Sequence, residues 1–261
     1  MARNLAGVRC PKVLVVGDTH HICAPGRGPI WRPVSYALAE SYDLVIGEFN
    51  RHHMHFFREA GIKAGWVPCF TLSPFEHGVE TKKHDVTFVG QTGRHPFRHH
   101  VLEQLGAMGV AVGRGSAPRK ETALLHAQSR INLNISLNGD LNLRHFEVLA
   151  AGGFLLTEKL SPESGLPLLL DEQKHMAVFD NVVQLAEMIR YYLANPALAA
   201  EMAAAGHAEY MRFHRPELKV QQMYDMLAGR TPDVLDLRHD RRTALPAEDA
   251  DKLRGRVAVY E

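Results

Sequence analysis

Residues 141 to 158, LNLRHFEVLAAGGFLLTE, leave few choices for the backbone around them. A loop leads into a short helical pattern carrying one acidic residue, Glu147. Gly152 and Gly153 stop the helix, and FLLTE follows as a buried strand. Just upstream, SRINLNIS alternates apolar and polar residues as a strand and ends in the loop LNGDLN. Strand, loop, helix and strand make one unit of a parallel sheet, and such sheets bind ligands beyond the strands' carboxyl ends. A helix N-terminus there offers N–H groups to a phosphate, and Arg144 adds a cation. Glu147, about one turn into the helix, is placed to accept hydrogen bonds from hydroxyls. Anion, diphosphate-linked sugar and ribose suit these three elements. The same residues also fit a helix-capping loop with a surface glutamate.

The rest of the chain repeats this alternation. KVLVV (12–16), DLVIGEF (43–49) and AGWVPCF (64–70) are apolar strand runs. Helical segments PVSYALAESY and RHHMHFFREAG lie between them, which gives a small βαβαβ unit over residues 1–72. The polar stretch around 71–84 has a proline, a glycine and no periodicity, and reads as a linker. A longer β/α run follows over 85–228: DVTFVG, VAVGRG, INLNIS, FLLTE and MAVFD as strands, with helices between and after them. Alternation at these lengths predicts an α/β fold with two Rossmann-like parallel-sheet units, the first abridged. The tail, 229–261, is charge-rich and is expected to be loosely packed.

Composition removes several function classes. The 30 Lys and Arg nearly cancel the 29 Asp and Glu, giving a net charge of +1, which argues against nucleic-acid or membrane-surface binding. Cys10, Cys23 and Cys69 are odd in number and unpaired by spacing, as expected in a reducing compartment. No signal-like or bilayer-length apolar run occurs, so a cytoplasmic protein is expected.

The pattern Arg98-x-x-x-Leu102-x-x-Leu105, then SRINLN, then RHFEVLAAGGFLLT, then a helix before His214, resembles the C-terminal half of group-1-type glycosyltransferases. Within the GT-B superfamily it is most similar to the CgeB-like, spore-maturation-protein branch, over roughly residues 85–225. Arg144, Phe146, Glu147, Ala150 and Gly152 form its most specific core. The resemblance implies a GT-B architecture with a nucleotide-diphosphate-sugar donor on the second unit. A hydroxyl acceptor (polysaccharide, protein or small molecule) would dock on the first. It also implies that Glu147 accepts from ribose hydroxyls, that Arg98 opens the helix after the first loop, and that no metal or other cofactor is needed. Many retaining members carry a second Glu eight residues before the first; Gly139 stands there, beside Asp140, so the stereochemical outcome stays open. A typical first half is longer than the one here. A non-catalytic sugar-nucleotide-binding or assembly protein is therefore the second reading, and a flavodoxin-like phosphate binder the third.

Individual residues follow from these frames. In GQTGRHPFR (90–98), Gly90 allows close backbone approach, and Arg94 and Arg98 supply charge for a diphosphate. With Arg144 and Glu147 they make the expected donor site. Asp18 and His20, after the first strand, are the candidate acceptor base; the same histidines also fit loop capping. Arg130 fits either donor contact or packing at the core edge. VGRGSAP (112–118) departs from the dinucleotide fingerprint at Pro118, so NAD is not expected. His52 and His55 lack a third ligand at zinc spacing.

Overall fold

The computed structural model describes residues 4–17, 32–49, 51–68, 80–92, 96–115, 118–137 and 139–230. Contacts divide the chain into two compact units, Met1–Cys69 with Lys219–Glu261, and Phe70–Leu218.

In the first unit, the apolar runs become β1 (Val13–Val16), β2 (Leu44–Gly47) and β3 (Ala64–Trp66). They pair in parallel in that order. Helix α1 (Arg32–Ala39) precedes β2, and α2 (Met54–Glu59), entered through a 3-10 turn, precedes β3. Three short strands bury little by themselves. Part of their core is Leu44, Ile46 and Val67 closed by Met226 from the last helix, with Met223 and Leu227 packed beside it. Lys63 Nζ also donates to the Met226 carbonyl at 2.8 Å. The sequence grouped this last helix with the second unit; its contacts from Lys219 onward are with the first.

The second unit is a five-stranded parallel sheet in the order β5-β4-β6-β7-β8. Its strands are β4 (His84–Val89), β5 (Gly113–Gly115), β6 (Ser129–Asn134), β7 (Leu155–Glu158) and β8 (Ala177–Phe179). Interleaved are α3 (Pro96–Ala107), α4 (Arg119–Gln128), α5 (Leu143–Ala150), the short α6 (Leu166–Leu169), α7 (Val182–Ala194) and α8 (Pro196–Phe213). The last helix is α9 (Pro216–Leu227). Side chains on a strand alternate between sheet faces. Ile131, Leu133 and Ile135 face the apolar layer made with Val101, Leu102 and Leu105 of α3 and Leu185 and Ile189 of α7.

The alternation in SRINLN would ordinarily mark a strand with one face in water. Here the polar face is buried as well. Asn132 is 1% exposed and Asn134 0%. Helices α4 and α5 cover it, and the asparagines connect to them. Asn132 donates to the carbonyls of His126 and Phe154, while its oxygen lies 2.8 Å from His126 Nδ1. The Gly-Gly stop after α5 has two physical causes. Gly152 takes a left-handed turn (φ 67°) that ends the helix, with Gly153 N–H bonded to the Val148 carbonyl at 2.9 Å. A Cβ on Gly153 would lie 2.6 Å from Asn132 Nδ2, so only glycine lets the strand pass so close.

Candidate functional site

Strand β4 has β5 on one side and β6 on the other, so the order reverses at β4. Loops leaving neighbouring strands at such a point diverge and open a crevice at the carboxyl edge. The loop after β4 begins at Gly90. The loop after β6 runs from Ile135 into the N-terminus of α5. Both carry candidate residues.

Arg144 is the second residue of α5. Its Nη1 donates to Asn134 Oδ1 at 2.9 Å, and its Cζ stands 4.7 Å from the centre of the Phe88 ring. A Cβ at Gly90 would collide with Nη2, so the bare glycine is what admits the guanidinium. Burial pushes the Arg144 pKa down to about 10, and Arg98 nearby pushes it the same way. It remains charged at neutral pH. Arg98, on α3 and 6% exposed, approaches the same ring at 5.6 Å. Its Nε donates to the Ile135 carbonyl at 2.7 Å and its Nη1 to the Gln91 carbonyl at 3.4 Å. It thereby ties the two loops of the crevice together. Burial lowers its pKa, while Asp140 and Glu158 act to raise it.

Ser136 joins those two carboxylates. Glu158, at the end of β7, accepts from the Ser136 N–H. The Ser136 hydroxyl donates to Asp140 Oδ1 and accepts from the Asp140 N–H, each at 3.0 Å. Burial raises the Glu158 pKa, opposed by Ser136 and Arg98. Arg98 is thus flanked by acids, and Arg144 is the less compensated of the two cations.

The start of α5 is held by a buried polar chain. Asn142 is the N-cap, its Oδ1 accepting from the Arg144 N–H at 3.1 Å. One of the helix's first N–H groups is therefore already occupied, which narrows the anion site expected there. His145, fully buried, lies with Nδ1 3.1 Å from the Asn142 carbonyl and Nε2 3.1 Å from both Thr157 Oγ1 and Asn134 Nδ2. Burial lowers its pKa to about 4, with the Asn142 carbonyl opposing and Arg144 assisting. It is neutral at pH 7.

The structure therefore gathers Gly90, Arg98 and Arg144 at one edge. Glu147 lies partly buried on the following turn of α5. Its charge acts on Arg144. Arg94, Asp18 and His20 lie outside the described residues, as do the side chains of His52 and His55. Arg130 sits at the opposite end of β6, half-exposed, with Nε 3.4 Å from Asp85 Oδ1. Among the described residues no group of three or more His, Cys, Asp or Glu could hold a metal ion. No helix among them is long and apolar enough to cross a membrane.

Sequence reasoning missed Asn134, Ser136, His145 and Glu158 in the larger unit. It also missed Glu48 at the end of β2, whose pKa burial raises. For all but His145, which lies within α5, polar residues at the ends of strand runs were the available signal.

No curated protein matches the chain. Solved structures with a similar fold include a glycine-to-arginine mutant of S. aureus TarM in complex with fondaparinux, alpha-GlcNAc-glycerol and UDP (TM-score 0.60, 12% identity, 83% of this chain and 50% of that one). Anabaena Alr3699/HepE in complex with UDP-glucose is similar at TM-score 0.59 and 13% identity, over 85% of this chain and 73% of that one. Sucrose-phosphate synthase from Thermosynechococcus elongatus is similar at TM-score 0.58 and 13% identity, over 84% and 68%. At such identities the likeness is one of fold, the GT-B fold, and this chain spans half the length of TarM. The family model described as glycosyl transferase-like matches residues 74–225, more than half of the sequence, and the chain belongs to that family.

Proposed function

We propose that the protein transfers a sugar from a nucleotide-diphosphate sugar to a hydroxyl acceptor, with the donor held at the carboxyl edge of the five-stranded sheet. One observation carries this reading: two arginines, Arg98 and Arg144, stand over the same Phe88 ring, close enough that Arg98 depresses the pKa of Arg144. Holding like charges together opposes folding, and a diphosphate relieves that repulsion. UDP or UDP-glucose in the complexes of TarM and HepE supports a UDP-sugar donor. The acceptor oxygen attacks the sugar's anomeric carbon as the bond to the diphosphate breaks. Arg144, Arg98 and the start of α5 take up the negative charge that develops on the leaving group. The guanidiniums make a metal unnecessary. Glu147 accepts from the ribose hydroxyls, and Arg94 extends the phosphate contacts. The acceptor docks on the first unit, where Asp18 or His20, just beyond β1, removes its proton. The branch is CgeB-like and the setting cytoplasmic.

A second reading, a nucleotide-sugar-binding or assembly protein, is favoured by the three-stranded sheet of the first unit. Calorimetry against UDP-, GDP-, TDP- and CMP-sugars, with NAD as control, tests donor binding. At a hundredfold excess over Kd the true donor stabilises the fold by about 2.7 kcal/mol. Stabilisation by NAD alone, or by none of these, would end the donor reading. Asp18→Asn or His20→Ala should then slow transfer by about 10² to 10⁴ with donor affinity unchanged. Tight donor binding without transfer or donor hydrolysis favours the second reading.

A further inference from the structure

We infer that Asn134 is a positioning residue whose side-chain oxygen sets the direction of the Arg144 guanidinium, and hence its aim at the diphosphate. The inference deepens the donor reading above and rests on it.

Asn134 is the last residue of β6 and wholly buried. An asparagine side chain has an acceptor oxygen and an NH2 donor group. Both are placed. Nδ2 lies 3.1 Å from Thr157 Oγ1 and 3.1 Å from His145 Nε2, while Oδ1 lies 2.9 Å from Arg144 Nη1. Chemistry fixes which way round the amide sits. The Asn142 carbonyl 3.1 Å from His145 Nδ1 can only accept, so the imidazole carries its proton on Nδ1. Its Nε2 is then an acceptor and takes the Thr157 hydroxyl proton across 3.1 Å, and the Thr157 oxygen in turn accepts from the Asn134 NH2 at 3.1 Å. Arg144 can only donate and requires the oxygen. A flipped amide would set donor against donor at one end and acceptor against acceptor at the other.

A single hydrogen-bonded chain thus runs from the N-cap carbonyl of α5 through His145, Thr157 and Asn134 to the Arg144 guanidinium. It couples where the helix begins to where the cation points. Phe88 on one side and the bare backbone of Gly90 on another complete the slot. Arginine is a long, flexible side chain, and without the Asn134 oxygen it would occupy several rotamers in that slot.

The test is calorimetric titration of the full chain with UDP and with uridine, in wild type, Asn134→Ala, Arg144→Ala and the double variant. Asn134→Ala should weaken UDP binding about tenfold, as expected for loss of a hydrogen bond to a charged group, and leave uridine unchanged. With Arg144 already alanine, the same substitution should change UDP affinity by less than about twofold. Equal losses in both backgrounds, or equal losses for uridine and UDP, would mean that Asn134 only supports the fold and would overturn the inference. Should the alanine variant fail to fold, Asn134→Ser replaces it, its hydroxyl being too short to reach Nη1.

A second arm needs no ligand. The side-chain 15N resonances of Arg144 should report hindered rotation in wild type and free rotation in Asn134→Ala. Asn134→Asp should keep the rotation hindered while losing UDP affinity, because the new carboxylate cancels the charge. Free rotation in wild type, or hindered rotation in Asn134→Ala, overturns the inference whatever binds. Hindered wild-type rotation with no UDP binding leaves the positioning intact and removes the donor reading instead.

Discussion

Each of the two sheets ends in an arginine over an aromatic ring, but the surroundings differ. At the edge of the larger sheet, Arg144 and Arg98 share Phe88, at 4.7 and 5.6 Å, and buried polar side chains fix Arg144 in place. At the edge of the smaller sheet, Arg51 stands 5.9 Å from the Trp66 ring, and Trp66 Nε1 donates to the Glu48 carbonyl at 3.2 Å. Glu48 there is a half-buried acid whose pKa burial raises. The first edge is built around cations and suits an anion. The second presents a carboxyl group that holds a proton more readily than usual. Their foundations differ as well. The larger sheet rests on an apolar layer drawn from its own helices, whereas the smaller borrows Met226 from the last helix.

The largest expected effect comes from Phe88, which serves both the core and the site. Phe88→Ala should cost about 3 to 5 kcal/mol of stability, measured by denaturant unfolding with hydrogen exchange to locate the loss. Protection should fall in the larger sheet and not in β1–β3. A loss spread evenly over both sheets would show that the two units do not differ in the way their cores suggest.

Acid should strike the larger unit next. His126 and His145 both have pKa values lowered to about 4, with burial the main cause. The unfolded chain binds these protons more tightly than the folded one. The stability from the neutral, buried rings is therefore complete above about pH 6.5 and is lost as pH falls toward 4, on the order of 3 kcal/mol for each. Thermal melts of wild type and His145→Gln between pH 7.5 and 4.5 check this. The variant should show a shallower acid decline, and an identical slope would mean that His145 already accepts its proton within the fold.

The smaller sheet is tested by Met226→Ala, expected to cost about 2 kcal/mol, near the low end for a buried methionine because the cluster is small. Exchange protection should drop in β1–β3 and α9 while β4, β6 and β7 hold. Loss in the larger sheet would mean that α9 belongs to it after all.

These contrasts also show what the sequence could reveal. Runs such as DLVIG and FLLT appear as β2 and β7 because apolar burial on a parallel sheet writes itself into consecutive residues. Gly90 and Arg144 stood in the sequence as separate candidates, and their contact with each other was hidden because it joins a loop and a helix start far apart in the chain. Asn132 and Asn134 were hidden for the opposite reason. An alternating strand signals one wet face, and nothing local reveals that α4 and α5 cover it. The allegiance of Met226 was equally invisible: helical periodicity shows that a face is apolar, not which sheet it covers.

The smallest expected effect separates the two ends of one strand. Arg130 and Arg144 both adjoin β6, and their residue type alone makes either a phosphate ligand. The fold puts Arg144 at the carboxyl end, where the crevice opens. Arg130 is at the amino end, half-exposed and 3.4 Å from Asp85. An exposed pair of that kind contributes about 0.2 to 1 kcal/mol and is screened by salt. Arg130→Ala should therefore change stability by no more than about 0.5 kcal/mol, with the difference fading as ionic strength rises. UDP affinity should stay at the wild-type value, since the proposed donor site lies beyond the opposite strand ends. A loss of UDP affinity in Arg130→Ala comparable to that in Arg144→Ala would place the anion site elsewhere. The carboxyl-edge crevice between β4 and β6 would then have to be given up.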